Sequence, residues 1–225
     1  MDTIHILFIA VIISGVVYIR HLLQKTQGLE EEKQEFERAA LTDHLTKLLN
    51  RRGFAKALQR QMSVIQRYTR DNAVPFRTPY MILIDLDGFK SVNDIYGHQK
   101  GDQVLLAVAN ILKDVFHRDT DIVCRTGGDE FLIFLSGSTQ TQAIALAGLL
   151  QKKITNEKQL HFATKHSITA SIGVALVDIH QDTKTDAMDS VCETAKVRAD
   201  QAMYRSKERG RNVVTIIIGD TFRQV

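Results

Sequence analysis

Residues 122–135, IVCRTGGDEFLIFL, set two short apolar runs around a turn holding two glycines and two acids. The runs 122–125 and 131–135 have strand length and strand composition, and Thr126, Gly127, Gly128, Asp129 and Glu130 between them read as a hairpin connection. Working outward, 80–85 (YMILID) is a second buried-strand run. It follows 71–79, which holds both prolines of the chain and reads as a loop. Between strand and hairpin, Val104, Leu105, Val108, Ile111, Leu112 and Val115 recur at helical spacing within 101–116. After the hairpin come a helix at 141–154, a strand at 167–177, a helix at 190–209 and a strand at 213–218. Before residue 80, 42–45 resembles a helix start and 50–66 an amphipathic helix.

From residue 80 the order is β-α-β-β-α-β, then α-β. That is the split βαβ, ferredoxin-like α+β arrangement, an antiparallel sheet carrying helices. A right-handed first crossover leaves a gap between the first two strands. The third strand fills it, antiparallel to both. The end of strand 80–85 and the hairpin turn then fall side by side at one sheet edge, so Asp85 and Asp129 are expected to be neighbours.

Asp85 and Asp87 close the one strand, and Asp129 and Glu130 sit on the adjacent turn. Converging carboxylates repel one another unless a cation intervenes. Oxygen ligands without His or Cys favour Mg2+ over zinc, with substrate phosphates and water completing the shell. The competing account is four surface acids capping strands and turns. The glycines let a phosphate approach the backbone, yet Gly-Gly is also an ordinary hairpin turn.

The whole chain has 225 residues, enough for one globular domain plus an attachment. A net charge of +3 makes no case for a nucleic-acid partner. Cys124 and Cys192 lie in apolar stretches and read as reduced core cysteines. Residues 4–19 are apolar except His5 and Ser14, with Gly15 tolerated. At about 1.5 Å per residue such a helix, with its flanks, just spans a bilayer core of roughly 30 Å. Asp2 replaces the basic start of a signal peptide, no small-residue cleavage site follows, and Arg20, His21 and Lys25 come directly after. Residues 1–20 are therefore expected to be a single-pass anchor in the inner membrane, with the rest of the chain cytoplasmic. Only three residues precede the apolar run, so no outer sensor domain is expected. Residues 21–40 read as a linker helix. Leu22, Leu29 and Phe36 recur every seven residues, which fits either a short two-stranded seam or a solvated helix.

Gly127-Gly128-Asp129-Glu130-Phe131 resembles the signature of the GGDEF diguanylate cyclases, and the likeness covers 41–218. It extends to Asp85-Leu86-Asp87-Gly88-Phe89-Lys90, Asn93-Asp94, Gly97-His98 and Gly101-Asp102 at the family spacing. Asp43-His44-Leu45-Thr46 with Leu48 and Asn50-Arg51-Arg52 matches the opening motif. Ser171-Ile172-Gly173, Ala199-Asp200, Tyr204, Lys207 and Gly210-Arg211-Asn212 match the closing ones. The resemblance implies a palm-like nucleotidyl cyclase domain over 41–225 that condenses two GTP into cyclic di-GMP with Mg2+ or Mn2+. Asp85, the Leu86 backbone and Asp129 would hold metal. Asp129, Glu130 and Lys90 would serve catalysis. Phe89, Gly127 and Gly128 would line the substrate, Asn93 and Asp102 would read guanine, and Lys207 and Arg211 would neutralise terminal phosphates.

One GTP per subunit and two per product imply a homodimer of half-sites. Arg118 and Asp121 form Arg-x-x-Asp at the register of the family's product-inhibition site, although a helix-end salt bridge gives the same tetrapeptide. Two departures stand out: Lys47 replaces the usual glycine of the opening motif, and Thr126 precedes the glycines where larger residues are frequent. A non-catalytic GTP or cyclic di-GMP receptor, and a membrane scaffold, are the rival readings.

Overall fold

The computed structural model describes residues 3–70, 78–162, 167–179 and 188–225, with the side chains of 3–13, 16–17, 68–70 and 188 outside that description. The chain divides into two compact units, Met1–Ala40 and Leu41–Val225. The first is the body of one continuous helix, α1 (Thr3–Leu41). No break separates the expected anchor from the expected linker. Among the described residues no helix is long and apolar enough to cross a membrane. The anchor expected over 1–20 rests mainly on side chains outside the described residues. From Arg20 onward α1 carries charge too often to supply an apolar span, so the structure gives the bilayer no support. Leu22, Leu29 and Phe36 are exposed on α1.

In the second unit the expected split βαβ order and β3 insertion hold, in a sheet that is mixed rather than antiparallel throughout. Its strands are β1 (Tyr80–Asp87), β2 (Ile122–Gly127), β3 (Glu130–Leu135), β4 (Thr169–Leu176), β5 (Val214–Ile218) and β6 (Thr221–Gln224). Their order is β2-β3-β1-β4-β5-β6. β3 lies between β1 and β2 and pairs antiparallel with both. β4 is antiparallel to β1 and parallel to β5, and β6 adds an antiparallel edge the sequence did not announce. The helices are α2 (Arg51–Arg70), α3 (Phe89–Tyr96), α4 (His98–Val115), α5 (Gln140–Asn156) and α6 (Met188–Glu208). The expected loop at 71–79 falls mostly outside the described residues.

Alternation along β1 divides the core. Ile82 and Ile84 join Phe131, Ile133 and Ile172 under α4 and α5, which contribute Val108, Leu112, Leu150 and Ile154. Met81 and Leu83 join Leu132 and Phe134 under α2 and α6, with Phe54, Ala199 and Met203. Both cysteines belong to this second face, and burial pushes each thiol up to about 12. Such thiols are inert core groups, as the sequence reading held. α5 begins with a full capping box, Thr139 accepting from the Gln142 amide while the Gln142 side chain accepts from Thr139 N–H.

Two local expectations fail. Residues 42–45 start no helix. Asp43 Oδ1 instead accepts from the Thr46 amide at 2.8 Å and the Thr46 hydroxyl at 2.6 Å, closing a turn. Helical structure also begins earlier than 101, because α3 and α4 are separated only at Gly97.

Candidate active site

Asp85 and Asp87 continue the odd-numbered series of β1, so both belong to the face that α6 covers. Asp85 stands opposite Glu130 in the β1–β3 register, and the Leu86 N–H donates to the Asp129 carbonyl at 3.3 Å. The hairpin turn is thus bound to the end of β1. Gly127 and Gly128 make the turn possible, with φ of 141° and 53° that side chains rarely tolerate.

The electrostatics match this closeness. Burial, and then the neighbouring Asp85 charge, push the Asp129 carboxyl above its usual range, with Glu130 adding to the effect and Lys207 opposing it. Lys207, near the end of α6, meets Asp85 Oδ2 at 2.8 Å. Two repelling carboxylates share the field of one ammonium, which leaves the site half-neutralised. Among the described residues no group of three or more His, Cys, Asp or Glu side chains is placed to hold a metal. Two carboxylates still fit Mg2+, which commonly takes one or two and completes its shell from phosphates and water.

Asp87 is not part of that acid cluster. It is buried, and accepts from Ser171 Oγ at 2.7 Å, Thr169 Oγ1 at 2.8 Å and the Asn212 amide at 3.0 Å. The expected four-acid group is therefore smaller by one, because these bonds engage both Asp87 oxygens.

Glu130 is half-buried, with its carbonyl and Oε2 in reach of the Thr126 hydroxyl at 3.2 and 3.3 Å. It lines a cavity of about 510 Å³ between α2, α6 and the sheet, together with Thr126, Arg51 and Asp200. Asp85 and Asp129 do not line this cavity, so its volume is no measure of the acid site. Thr126, smaller than the family's frequent choice, borders the space.

A second cluster lies at the α3–α4 junction. Asn93 packs against the start of α4, where a Cβ on Gly101 would fall 1.9 Å from its Oδ1 and 3.3 Å from the Phe89 ring. Asn93 Oδ1 is buried and has no hydrogen-bond partner among the described residues. A buried acceptor left unpaired costs about 1–3 kcal/mol, and a donor edge such as that of guanine would satisfy it. Asp102 is exposed in the next turn, and Lys90 is exposed on α3. At the far end of α4, Arg118 is exposed and its carbonyl accepts from the Asp121 amide at 2.9 Å. Asp121 Oδ1 is buried without a hydrogen-bond partner among the described residues. Burial raises the Asp121 carboxyl against the pull of Arg118.

The sequence matched Asp43, Arg51 and Asn212 without assigning them work, and it passed over Arg125. Arg125 donates from Nε and Nη2 to the Gly128 carbonyl, at 3.0 and 2.8 Å, and pairs with both Asp43 oxygens through Nη1. Arg51 Nε donates to the Thr126 carbonyl. Two guanidinium groups therefore hold the backbone of the signature turn. Only the three-dimensional pairing reveals this, since 82 positions separate Asp43 from Arg125.

Residues 40–213 match the diguanylate cyclase GGDEF domain family. The bifunctional diguanylate cyclase/cyclic di-GMP phosphodiesterase MucR of Pseudomonas aeruginosa is 36% identical over 187 residues, covering 82% of this chain and 24% of its own. Diguanylate cyclase A of Treponema denticola is 37% identical over 136 residues, covering 60% of this chain and 34% of its own. The chain thus spans about a quarter to a third of the length of these curated relatives. Among solved structures, the coiled coil and GGDEF domain of DgcB from Caulobacter crescentus in complex with c-di-GMP has a TM-score of 0.71 at 27% identity, covering 89% of this chain and 98% of that one. With the signature turn, its acidic partner strand and the closing Lys207–Asn212 segment all in family register, the chain belongs to the GGDEF diguanylate cyclase family.

Proposed function

We propose that the chain is a diguanylate cyclase that condenses two GTP into cyclic di-GMP and two pyrophosphates. The observation that carries this is the Asp85–Asp129 pair, brought together where the end of β1 meets the β2–β3 turn, with Lys207 beside Asp85. In each half-reaction the 3′-hydroxyl oxygen of one GTP bonds to the α-phosphorus of the other. The bond from that phosphorus to the bridging oxygen of the β-phosphate breaks, pyrophosphate leaves, and the hydroxyl proton is released. Mg2+ or Mn2+ on Asp85, the Leu86 backbone and Asp129 would supply Lewis-acid stabilisation of the phosphate charge. Asn93 and Asp102 would select guanine, Phe89, Gly127 and Gly128 would border the substrate, and Lys90, Lys207 and Arg211 would balance phosphate charge. Glu130, opposite Asp85, is the second acid of the turn and its catalytic partner.

Two substrates meet only when two such domains face each other, so the active species in this reading is a homodimer. The exposed heptad Leu22, Leu29, Phe36 supports α1 as the element that promotes pairing. From sequence alone, the apolar run at 4–19 with Arg20, His21 and Lys25 behind it supports a single-pass anchor and a cytoplasmic domain. Flotation of the full chain with liposomes tests that part. Arg118 and Asp121 would bind the product as a feedback site, and the unpaired Asp121 oxygen supports this. Arg118→Ala is then expected to relieve inhibition by added cyclic di-GMP.

The deciding experiment incubates the purified chain with GTP and Mg2+. Cyclic di-GMP and pyrophosphate should appear in a 1:2 ratio, and Asp129→Ala should lower the rate by at least about a hundredfold. GTP binding without turnover would leave a receptor in place of an enzyme, and absence of nucleotide binding would leave a scaffold.

A further inference from the structure

After α6 the chain enters a turn whose geometry is costly. Arg211 and Asn212 both adopt left-handed backbone conformations, with φ of 65° and 51°, although neither is glycine. Such conformations persist when the surroundings over-determine them. Here two sides of the molecule grip the same residue. From β1, Asp87 Oδ2 accepts the Asn212 N–H at 3.0 Å, and Asp87 is itself fixed by Thr169 and Ser171 of β4. From α5, Gln151 Nε2 donates to the Asn212 carbonyl at 3.0 Å and to its Oδ1 at 2.6 Å, and Thr155 Oγ1 donates to the same Oδ1 at 2.9 Å. The Arg211 amide donates back to the Ser206 carbonyl at 3.1 Å, tying the turn to the end of α6 that carries Lys207. Arg211 itself is largely exposed, with Nε 4.0 Å from Asp87 Oδ1.

Two elements, β1 and α5, thus spend four hydrogen bonds on Asn212, a residue to which the sequence assigns no chemistry, and α6 spends a fifth on the adjoining Arg211. We propose that Asp87 and Gln151 are positioning residues, which clamp Asn212 from opposite sides and so aim Arg211 at the terminal phosphates of the bound nucleotide. This rests on the reading of Lys207 and Arg211 as phosphate contacts. It goes beyond that reading because Gln151 stands on α5 and Asp87, despite its place beside Asp85, has both carboxylate oxygens engaged by Thr169, Ser171 and Asn212.

The clamp makes a selective demand. Its loss should weaken ligands that carry terminal phosphates and spare those that lack them. Equilibrium binding of GTP and of GMP to the full chain with Mg2+ measures this. For Asp87→Asn, which keeps the volume and one acceptor, the GTP dissociation constant should rise about fivefold, while that of GMP should stay within about twofold. Gln151→Ala, on a helix that carries none of the site acids, should shift GTP about threefold in the same sense and leave GMP unchanged. In an Arg211→Ala background neither substitution should add further loss, because the three residues act as one unit. Equal weakening of both nucleotides, full additivity with Arg211→Ala, or unaltered GTP binding in both variants would each overturn the clamp. If the wild-type chain bound GTP no better than GMP, the assignment of Lys207 and Arg211 to terminal phosphates would fall, and the clamp with it. A wild-type preference that stays undiminished in both variants sinks the clamp alone.

Discussion

At Lys47 the backbone turns left-handed, with φ of 57°, to let the Lys47 N–H reach the Asp43 carbonyl at 3.0 Å. That requirement explains why glycine is usual at this point of the motif. A side chain there costs roughly 1–2 kcal/mol, part of which a glycine would return as unfolded-state entropy. Lys47→Gly is therefore expected to stabilise the protein by about 0.5–1 kcal/mol, read from the urea midpoint, with GTP turnover unchanged. A lower midpoint would show that the lysine side chain contributes more than its backbone strain costs. Asp129 makes a converse case. Its carboxyl is raised by burial and by Asp85, so the folded state holds the proton more tightly than the unfolded one. The stability this gives is fully present below the ordinary value of 3.8 and is lost as pH rises through the folded value. Asp129→Asn resembles the protonated form. In EDTA it should melt above wild type at pH 7, with the advantage shrinking toward 3.8. A variant melting below wild type at pH 7 would contradict the repulsion between the two acids.

Elements hold the signature turn by an indirect route, through the segment 42–50. Leu49 N donates to the Val123 carbonyl and Arg125 N to the Leu49 carbonyl, so this segment lies along β2 and delivers Asp43 to Arg125. Burial works against the Asp43 charge, yet hydrogen bonds from Thr46 and then the Arg125 guanidinium bring its carboxyl below the usual range. The stability so gained is present above 3.8 and is lost as pH falls through the lowered folded value. Asp43→Asn should accordingly cost about 1 kcal/mol at pH 7, a figure discounted for partial exposure. The gap to wild type should close below 3.8, and an unchanging gap in urea titrations across that range would refute the assignment. These elements also show what the chain discloses by itself. Strand lengths, the β3 insertion and the Asp85–Asp129 meeting were legible, because apolar alternation and one right-handed crossover suffice to place them. α3 was not, since its eight residues run into α4 across Gly97 alone. β6 was not, because Thr221–Gln224 is mostly polar and pairs at an exposed edge. Asp87 read as a fourth site acid because its spacing puts it on the face of Asp85. Only the hydroxyls of Thr169 and Ser171, supplied by a strand 82 and 84 positions away, reveal that it is spent.

For the molecule as a whole, the decisive point is that the described residues of Leu41–Val225 gather one Asp85–Asp129 pair, while the proposed product needs two nucleotides. Among the described residues both apolar cores are built from residues after Leu41, the earliest being Leu45 and Leu49. Removing residues 1–40 should therefore leave the domain folded, with its thermal midpoint within about 4 °C, the shift expected for at most 1 kcal/mol in a chain this size. Its rate should respond differently. If exposed Leu22, Leu29 and Phe36 bring two copies of α1 together, the tethered active sites meet at an effective concentration near millimolar, whereas free domains must find each other by diffusion. At nanomolar protein the truncated form should turn over GTP roughly a hundredfold more slowly per protomer than the full chain, and the two should converge as concentration rises. A truncated domain whose rate per protomer stays constant on dilution would mean that a single site completes both bonds, which is incompatible with one Asp85–Asp129 pair serving one GTP.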